Sequence, residues 1–149
     1  MNTDIWEKIE RHLGNDREDL ISIGASDPEI QEAERELKVK FVPLYKEVLK
    51  KYGAIGINAY DIHGLKYLPL MDKNNWTVVQ KTTFYKDFQK WPDIEDWYVI
   101  SDDGRGNPIG IDPEGKVWLS DHDAGFEKVK LADNFEEFLH KLLTDTLYE

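Results

Sequence analysis

The sequence predicts an α+β fold in which an antiparallel β-sheet, a meander in the C-terminal half, is covered by N-terminal and C-terminal helices. Three observations lead there. Apolar residues recur at helical spacing between recognisable caps up to Tyr52; short apolar runs alternate with Asp- and Gly-rich turns from Trp97 to Leu131; and helical spacing returns after Asp133. No repeat, low-complexity tract or linker interrupts the chain, so residues 1–149 read as a single domain. A domain of this size can remove roughly 70% of its unfolded surface from water.

The first helix runs from about Asp4 to Leu13, with Ile5, Ile9 and Leu13 on one face, Asn2 or Thr3 as cap and Gly14 as a left-handed stop. Asn15 to Gly24 is acidic and ambiguous. Ser26-Asp27-Pro28-Glu29 is a capping box, in which the Ser hydroxyl and the Glu carboxylate satisfy each other's exposed backbone donors. Ile30, Ala33 and Leu37 then share a face. A third helix begins near Pro43, turns Tyr45, Val48, Leu49 and Tyr52 inward, and stops at Gly53.

Ala54 to Leu65 reads as one or two short strands. Asn75 to Phe88 carries mixed signals; Trp76, Val79 and Thr83 align at helical spacing, and a short helix is expected. Trp97-Tyr98-Val99-Ile100 leads into the turn Asp102 to Gly106 and a strand from Asn107 to Ile111. Asp112-Pro113-Glu114-Gly115 suits a type I turn with a bulge, Lys116 to Leu119 returns antiparallel, and Phe126 to Leu131 adds a fourth strand. In the last helix Asp133 is the expected cap, Glu136 completes the box, and Phe135, Phe138, Leu139, Leu142 and Leu143 form the apolar stripe.

Composition narrows the chemistry. Lys and Arg number 19 against 30 Asp and Glu, a net charge of −11, which repels nucleic acid and anionic lipid and attracts basic macromolecules. Zero cysteines exclude disulfides and thiolate metal sites. The acidic N-terminus lacks a secretory pattern and no apolar run could span a bilayer, so a cytoplasmic protein is expected, with neither nucleic acid nor membrane as partner. Asn75-Trp76-Thr77 is formally a glycosylation acceptor.

No catalytic constellation emerges, and no cofactor or metal is expected. Gly104 and Gly106 would need a Gly at 109 for a dinucleotide fingerprint; that position is Ile, and a strand follows rather than a helix. Asp102, Asp103, Asp112, Asp121 and Asp123 recur in the turns. They could form an acidic rim or hold a hard cation, though the EF-hand register fails, or they could simply start turns through local backbone bonds. His122, between Asp121 and Asp123, is the one imidazole with a carboxylate beside it in sequence, and no nucleophile accompanies it. Trp91, in a polar loop between Lys90 and Pro92, is the tryptophan expected at the surface.

The residues also carry a family resemblance. Ile30, Glu34, Phe41, Pro43, Tyr45-Lys46-Glu47-Val48-Leu49 and Tyr52-Gly53 resemble the N-terminal motif of the SUKH superfamily, the Smi/Knr-like cell-wall-assembly-regulator group. Trp97 through Gly115, with Gly104, Gly106 and Gly115, is similar to its strand-turn-strand motif, and Phe135, Phe138 and Leu139 to its closing helix. Pro43 sits one residue closer to Tyr45 than usual, and the family's Gly-Asp is here Gly106-Asn107. The resemblance implies an immunity protein that neutralises a secreted polymorphic toxin, such as a nuclease, by binding a toxin domain expected to be basic. A regulatory scaffold of the cell-wall-assembly type is the alternative, and a small hydrolase using His122 a distant third. The expected partner surface is the sheet and its turns, around Trp97, Asp102, Asp103, Asn107, Asp112, Trp118, Asp121 and Asp123.

Overall fold

The computed structural model describes residues 3–69 and 76–148. Helix α1 (Thr3–Leu13) buries Ile5, Ile9 and Leu13, and Gly14, at φ +48°, ends it. Thr3 lies inside this helix rather than capping it, and Asn2 falls outside the described residues. The ambiguous acidic stretch resolves into a 3₁₀ turn at Gly14–Asp16, a one-turn helix α2 (Arg17–Leu20), and a bridge from Ile21 to Ile55.

Helix α3 (Asp27–Leu37) starts on the expected box: the Glu29 amide donates to Ser26 Oγ at 3.3 Å, and the Ser26 amide to Glu29 Oε1 at 2.9 Å. Glu34 accepts the Phe41 amide at 2.8 Å, which fixes the link to helix α4 (Pro43–Tyr52). Pro43 occupies the first turn, where a missing N–H costs nothing. Leu44, Tyr45, Val48, Leu49 and Tyr52 are buried. Gly53 has φ +73°, and a Cβ there would lie 1.9 Å from the Ile23 carbonyl oxygen, so any side chain would displace backbone.

Strands β1 (Ile55–Ile57) and β2 (Tyr60–Ile62) form a hairpin. Helix α5 (Val78–Thr83) is capped by Thr77 and Gln80 and continues into a π turn at Phe84–Phe88. Its buried face is Val78, Thr82 and then Tyr85; Trp76, Val79 and Thr83 lie on the open side.

Strands β3 (Tyr98–Asp102), β4 (Pro108–Ile111), β5 (Val117–Asp121) and β6 (Glu127–Ala132) make an antiparallel meander in the order β3-β4-β5-β6. One face, with Tyr98, Ile109, Ile111, Val117 and Leu119, joins the main core under α1, α3, α4 and helix α6 (Phe135–Leu143). The other face carries Trp97 and Val99 with Tyr85 and Ile94, and Phe84, Trp91 and Trp118 pack around them. Gly110 makes that packing possible, since a Cβ there would sit 2.8 Å from the Trp97 ring. The outer edge of β3 is not left open. Its Val99 amide donates to Thr82 Oγ1 at 2.8 Å, and its Ile100 carbonyl accepts the His63 amide at 2.7 Å.

The terminal helix starts one residue later than expected. Asn134 is the cap, accepting the Glu137 amide at 2.8 Å, while Asp133 pairs with Lys130. Two consecutive capping residues followed by two consecutive glutamates satisfy the pattern in either register, and docking of Phe135 into the core selects the second. Among the described residues no helix is long and apolar enough to cross a membrane.

Phe138 is fully buried between α6 and the sheet. Phe138→Ala should lower the unfolding free energy by about 3–5 kcal/mol, and Asn134→Ala by about 1 kcal/mol. Urea denaturation measures both; an Asn134→Ala loss no greater than that of Asp133→Ala would contradict the cap assignment.

Candidate functional site

Alternation of the meander sends its turns to opposite ends and divides the eight expected interface residues. Asp102, Asp103, Asn107, Asp121 and Asp123 gather at one end, while Trp97, Asp112 and Trp118 lie at the other. They do not form one surface. At the far end Asp112 accepts the Glu114 and Lys116 amides and the Trp118 indole N–H, each at 2.9 Å, so its carboxylate is consumed in holding the Asp112–Gly115 turn. Trp97 is 2% exposed and belongs to the core. The alternation in Trp97-Tyr98-Val99-Ile100 reveals two faces but not that a second layer covers the outer one.

Asn107 is likewise no surface contact, being 0% exposed. Its Nδ2 donates to Asp103 at 2.7 Å and to Asp121 at 3.4 Å, and its Oδ1 accepts the His122 amide at 3.0 Å and contacts His122 Nδ1. An amide can donate and accept at once; a carboxylate here would face two others with no proton to offer. Asn107 therefore ties the β3–β4 turn to the β5–β6 turn, with Asp103 also accepting the Arg105 and Asn107 amides at 2.8 and 3.1 Å. Gly104 and Gly106 complete that turn at positive φ.

Around this latch lie further side chains. Asp123 and Glu127 are exposed, as are Phe126 and Tyr148, and the hydroxyls of Tyr60 and Tyr148 stand 3.4 Å apart. Trp91, expected at the surface, is half-buried instead: its Nε1 donates to Ser120 Oγ at 2.7 Å, and its ring meets Tyr85, His122 and Phe126 edge-on. His122 directs Nε2 toward Asp123 at 3.3 Å. Asp121, His122 and Asp123 can each aim one ligand atom within 4.8 Å of the others, but Asp121 Oδ1 already accepts the Asp123 amide and His122 Nδ1 is engaged by Asn107. Only part of that set remains to hold an ion.

Beside the same end, sequence reasoning missed a polar cavity of about 390 Å³ between β2, β3 and α5. Asp61, His63, Lys81, Ser101 and Asp102 line it, walled by Trp76, Phe84 and Tyr85. Lys81 bonds Asp102 at 2.9 Å and lies over the Trp76 ring at 5.2 Å and the Tyr85 ring at 5.8 Å. Burial works against the Asp102 charge, but the Lys81 bond and charge outweigh it and hold the carboxyl below its usual range. Asp61 is pushed the other way, by desolvation and then by Asp102. Burial, followed by the Lys81 charge, lowers His63 to about 4. The sequence signal existed only as scattered residues, Asp61-Ile62-His63 and Lys81, brought together by the β2–β3 and α5–β3 contacts.

A second surface feature adjoins it on the open side of α5: an apolar groove of about 450 Å³ lined by Trp76, Val79, Thr83, Phe84 and Phe88, the last 80% exposed.

Comparison with known proteins adds one match. A family model described as SMI1 / KNR4 family (SUKH-1) covers residues 24–141, from the link before α3 into the last helix, leaving α1 and α2 outside. No curated protein matches the chain.

His63 generates a pH prediction. Its proton is bound more readily in the unfolded chain, near 6.5, than in the folded one, near 4, so stability is full above about pH 6.5 and falls as pH drops toward 4. The loss from this residue should reach about 2 kcal/mol by pH 5. Urea midpoints at pH 7 and pH 5 test it, and His63→Gln should remove most of the difference; an equal loss in the variant would assign it to other groups.

Proposed function

This chain belongs to the SMI1 / KNR4 family (SUKH-1), and from that premise we propose that it acts by binding rather than catalysis, as an immunity protein that holds a secreted toxin domain at the acidic loop end of its sheet. The observation that carries this reading is the latch at Asn107. A buried amide spends its hydrogen bonds on organising two turns whose neighbours, Asp123, Glu127 and Phe126, are exposed. Rigid turns presenting carboxylates around aromatic side chains suit protein recognition, in which aromatics give desolvated contact area and charges at the rim steer the encounter.

The net charge of −11 favours a basic partner. A nuclease domain, which must hold phosphates, is basic where it does so. Steering of this kind raises association from about 10⁵–10⁶ to about 10⁸–10⁹ M⁻¹s⁻¹ at low salt. His122 fits a structural part in this reading, since both ring nitrogens face neighbours within the same loop.

Co-expression with a toxin domain encoded beside this gene should restore growth. Asp123→Lys combined with Glu127→Lys should slow association about tenfold or more at low salt, flatten its salt dependence, and leave the urea midpoint nearly unchanged. Asp103 and Asp121 stay intact, because they hold the turns. Tight binding to a partner with no toxic activity would favour the regulatory-scaffold reading. Unaltered association in the double variant would move the interface to another surface.

A further inference from the structure

Among the described residues no layer covers the open side of α5. Val78, Thr82 and Tyr85 face inward, while Trp76, Val79, Thr83, Phe84 and Phe88 line the apolar groove of about 450 Å³. The Trp76 and Phe84 rings pack together, their centroids 5.2 Å apart, so the lining is one continuous surface. Phe88, presented by the π turn, is the most exposed large apolar side chain among the described residues, at 80%. A contiguous apolar patch held open to water in this way marks a contact site.

The surroundings show what kind of partner would cover it. Through Val79 the groove is continuous with a cleft of about 470 Å³ between α5 and α3. Glu29, Glu32 and Glu36 line the α3 wall of that cleft, at the three- and four-residue spacing that keeps them on one helix face. Glu29 is committed to Lys66 and to the Ser26 cap, and Glu32 gives one oxygen to Arg35. Glu36 is exposed and makes no ion pair or hydrogen bond among the described residues. The lysines of the α5 layer are engaged elsewhere: Lys81 bonds Asp102, and Lys86 donates to the Glu95 carbonyl at 2.8 Å. An apolar trough therefore runs beside carboxylates that have capacity left for cations.

We propose that a basic amphipathic helix of the partner protein docks here, its apolar stripe on Trp76, Val79 and Phe88 and its flanking cations against Glu32 and Glu36. A helix is chosen over an extended segment because the groove offers a backbone almost nothing to bond. Gln80 is occupied, its Oε1 accepting the Thr77 amide at 2.9 Å and its Nε2 donating to the Tyr67 hydroxyl at 3.2 Å. That leaves the Thr83 hydroxyl as the polar group of the lining. A helix closes its own backbone bonds and brings only side chains, with apolar anchors one turn apart. Cations on its flanks follow from charge complementarity with α3. A second copy of this chain fits poorly, since it brings a net charge of −11 to a groove already walled by carboxylates. The inference rests on the proposed function for the source of the helix, and adds a contact beyond the acidic loop end; the chemistry of the groove can be tested with a model peptide.

The probe is the acetylated, amidated peptide KLAKKLAKKLAKKLA, whose leucines recur every fourth residue between lysines. It is titrated into the whole protein at about 0.15 M salt, where long-range attraction is screened. Saturable binding with a Kd on the order of 10⁻⁵–10⁻⁴ M is expected, with backbone amide shifts centred on Val79, Thr83 and Phe88. Phe88→Ser changes an exposed side chain, so its urea midpoint should match the wild type while binding weakens about tenfold or more. Glu32→Lys combined with Glu36→Lys should weaken binding as much. Asp123→Lys combined with Glu127→Lys, the same charge change at the other surface, should alter it less than about twofold. The peptide with glutamate at every lysine position should not bind. Equal losses in the two charge-reversed proteins would mean attraction to overall charge and overturn the site. Wild-type binding by Phe88→Ser, binding of the glutamate peptide, or no saturable binding would overturn it as well. A dimer that Phe88→Ser turns into a monomer in sedimentation would assign the groove to a second copy instead, which also overturns the proposal. Peptide binding in a protein that protects cells from no toxin would strike the proposed function alone. Protection that survives Phe88→Ser together with Glu32→Lys and Glu36→Lys would strike this groove alone.

Discussion

The side chain on which most of the structure is registered is Tyr45. Its ring is fully buried and meets Phe41 and Phe135 edge-on and Tyr98 at a tilt, so from α4 it touches the link that precedes that helix, the last helix and the first strand of the meander together. Its hydroxyl donates to the His63 carbonyl at 2.6 Å, and the His63 amide in turn donates to Ile100. That chain of bonds sets the distance between the helical layer and the junction of the two sheets. A phenol suits the position because one end is pure packing surface and the other is a single donor that must find a partner when buried. The family-motif helix is therefore structural in its action, and it acts on the candidate pocket by holding His63 in place.

The two ends of the meander are organised differently. At the far end the turn is closed on itself: Asp112 satisfies its own backbone and the Trp118 indole, and Gly115 completes the bulge. At the near end the bonds run between turns, through Asn107, and to a neighbouring layer, through the Tyr85 hydroxyl on the Gly106 carbonyl. A substitution at the first end disturbs one turn; at the second it loosens two turns and the docking of the α5 layer. The near end can thus present side chains in fixed positions, which lowers the ordering entropy that binding must overcome.

Much of the scaffold was legible because local chemistry and global packing agree. Ser26 and Glu29, Pro43 and Gly53, and the Asp112–Gly115 turn each act on backbone within a few residues, and the structure places them as their patterns predict. The site was less legible for a physical reason. Asp103, Asp121 and Asn107 could be recognised as turn-forming or charged, but which was surface and which was latch depends on a contact across 14 residues. The Trp97 face was ambiguous because the residues that cover it come from α5 and the loop after it, whose periodicity was itself mixed. His63 gave no signal at all, since its significance lies in a missing partner, and absence of a hydrogen bond has no sequence pattern.

Acidity and the pocket act over different distances, and this bears on how an acidic binder achieves specificity. Rim carboxylates such as Asp123 and Glu127 work through solvent, within a Debye length of about 8 Å at physiological salt, and attract any basic surface. Such charges would raise encounter rates with a basic partner without selecting one. The cavity is the reverse: its polar groups are few, partly desolvated and fixed by β2 and α5, so they act only at contact distance. An anionic side chain entering it would meet Asp61 and Asp102, so these groups disfavour negative charge at contact distance. Because the apolar groove at Trp76, Val79 and Phe88 shares Trp76 and Phe84 with the cavity wall, apolar surface and charged lining lie within one side chain's reach of each other. Apolar contact alone would accept many segments; joined to a charged cavity, it would discriminate among them by the charge carried beside the apolar side chain.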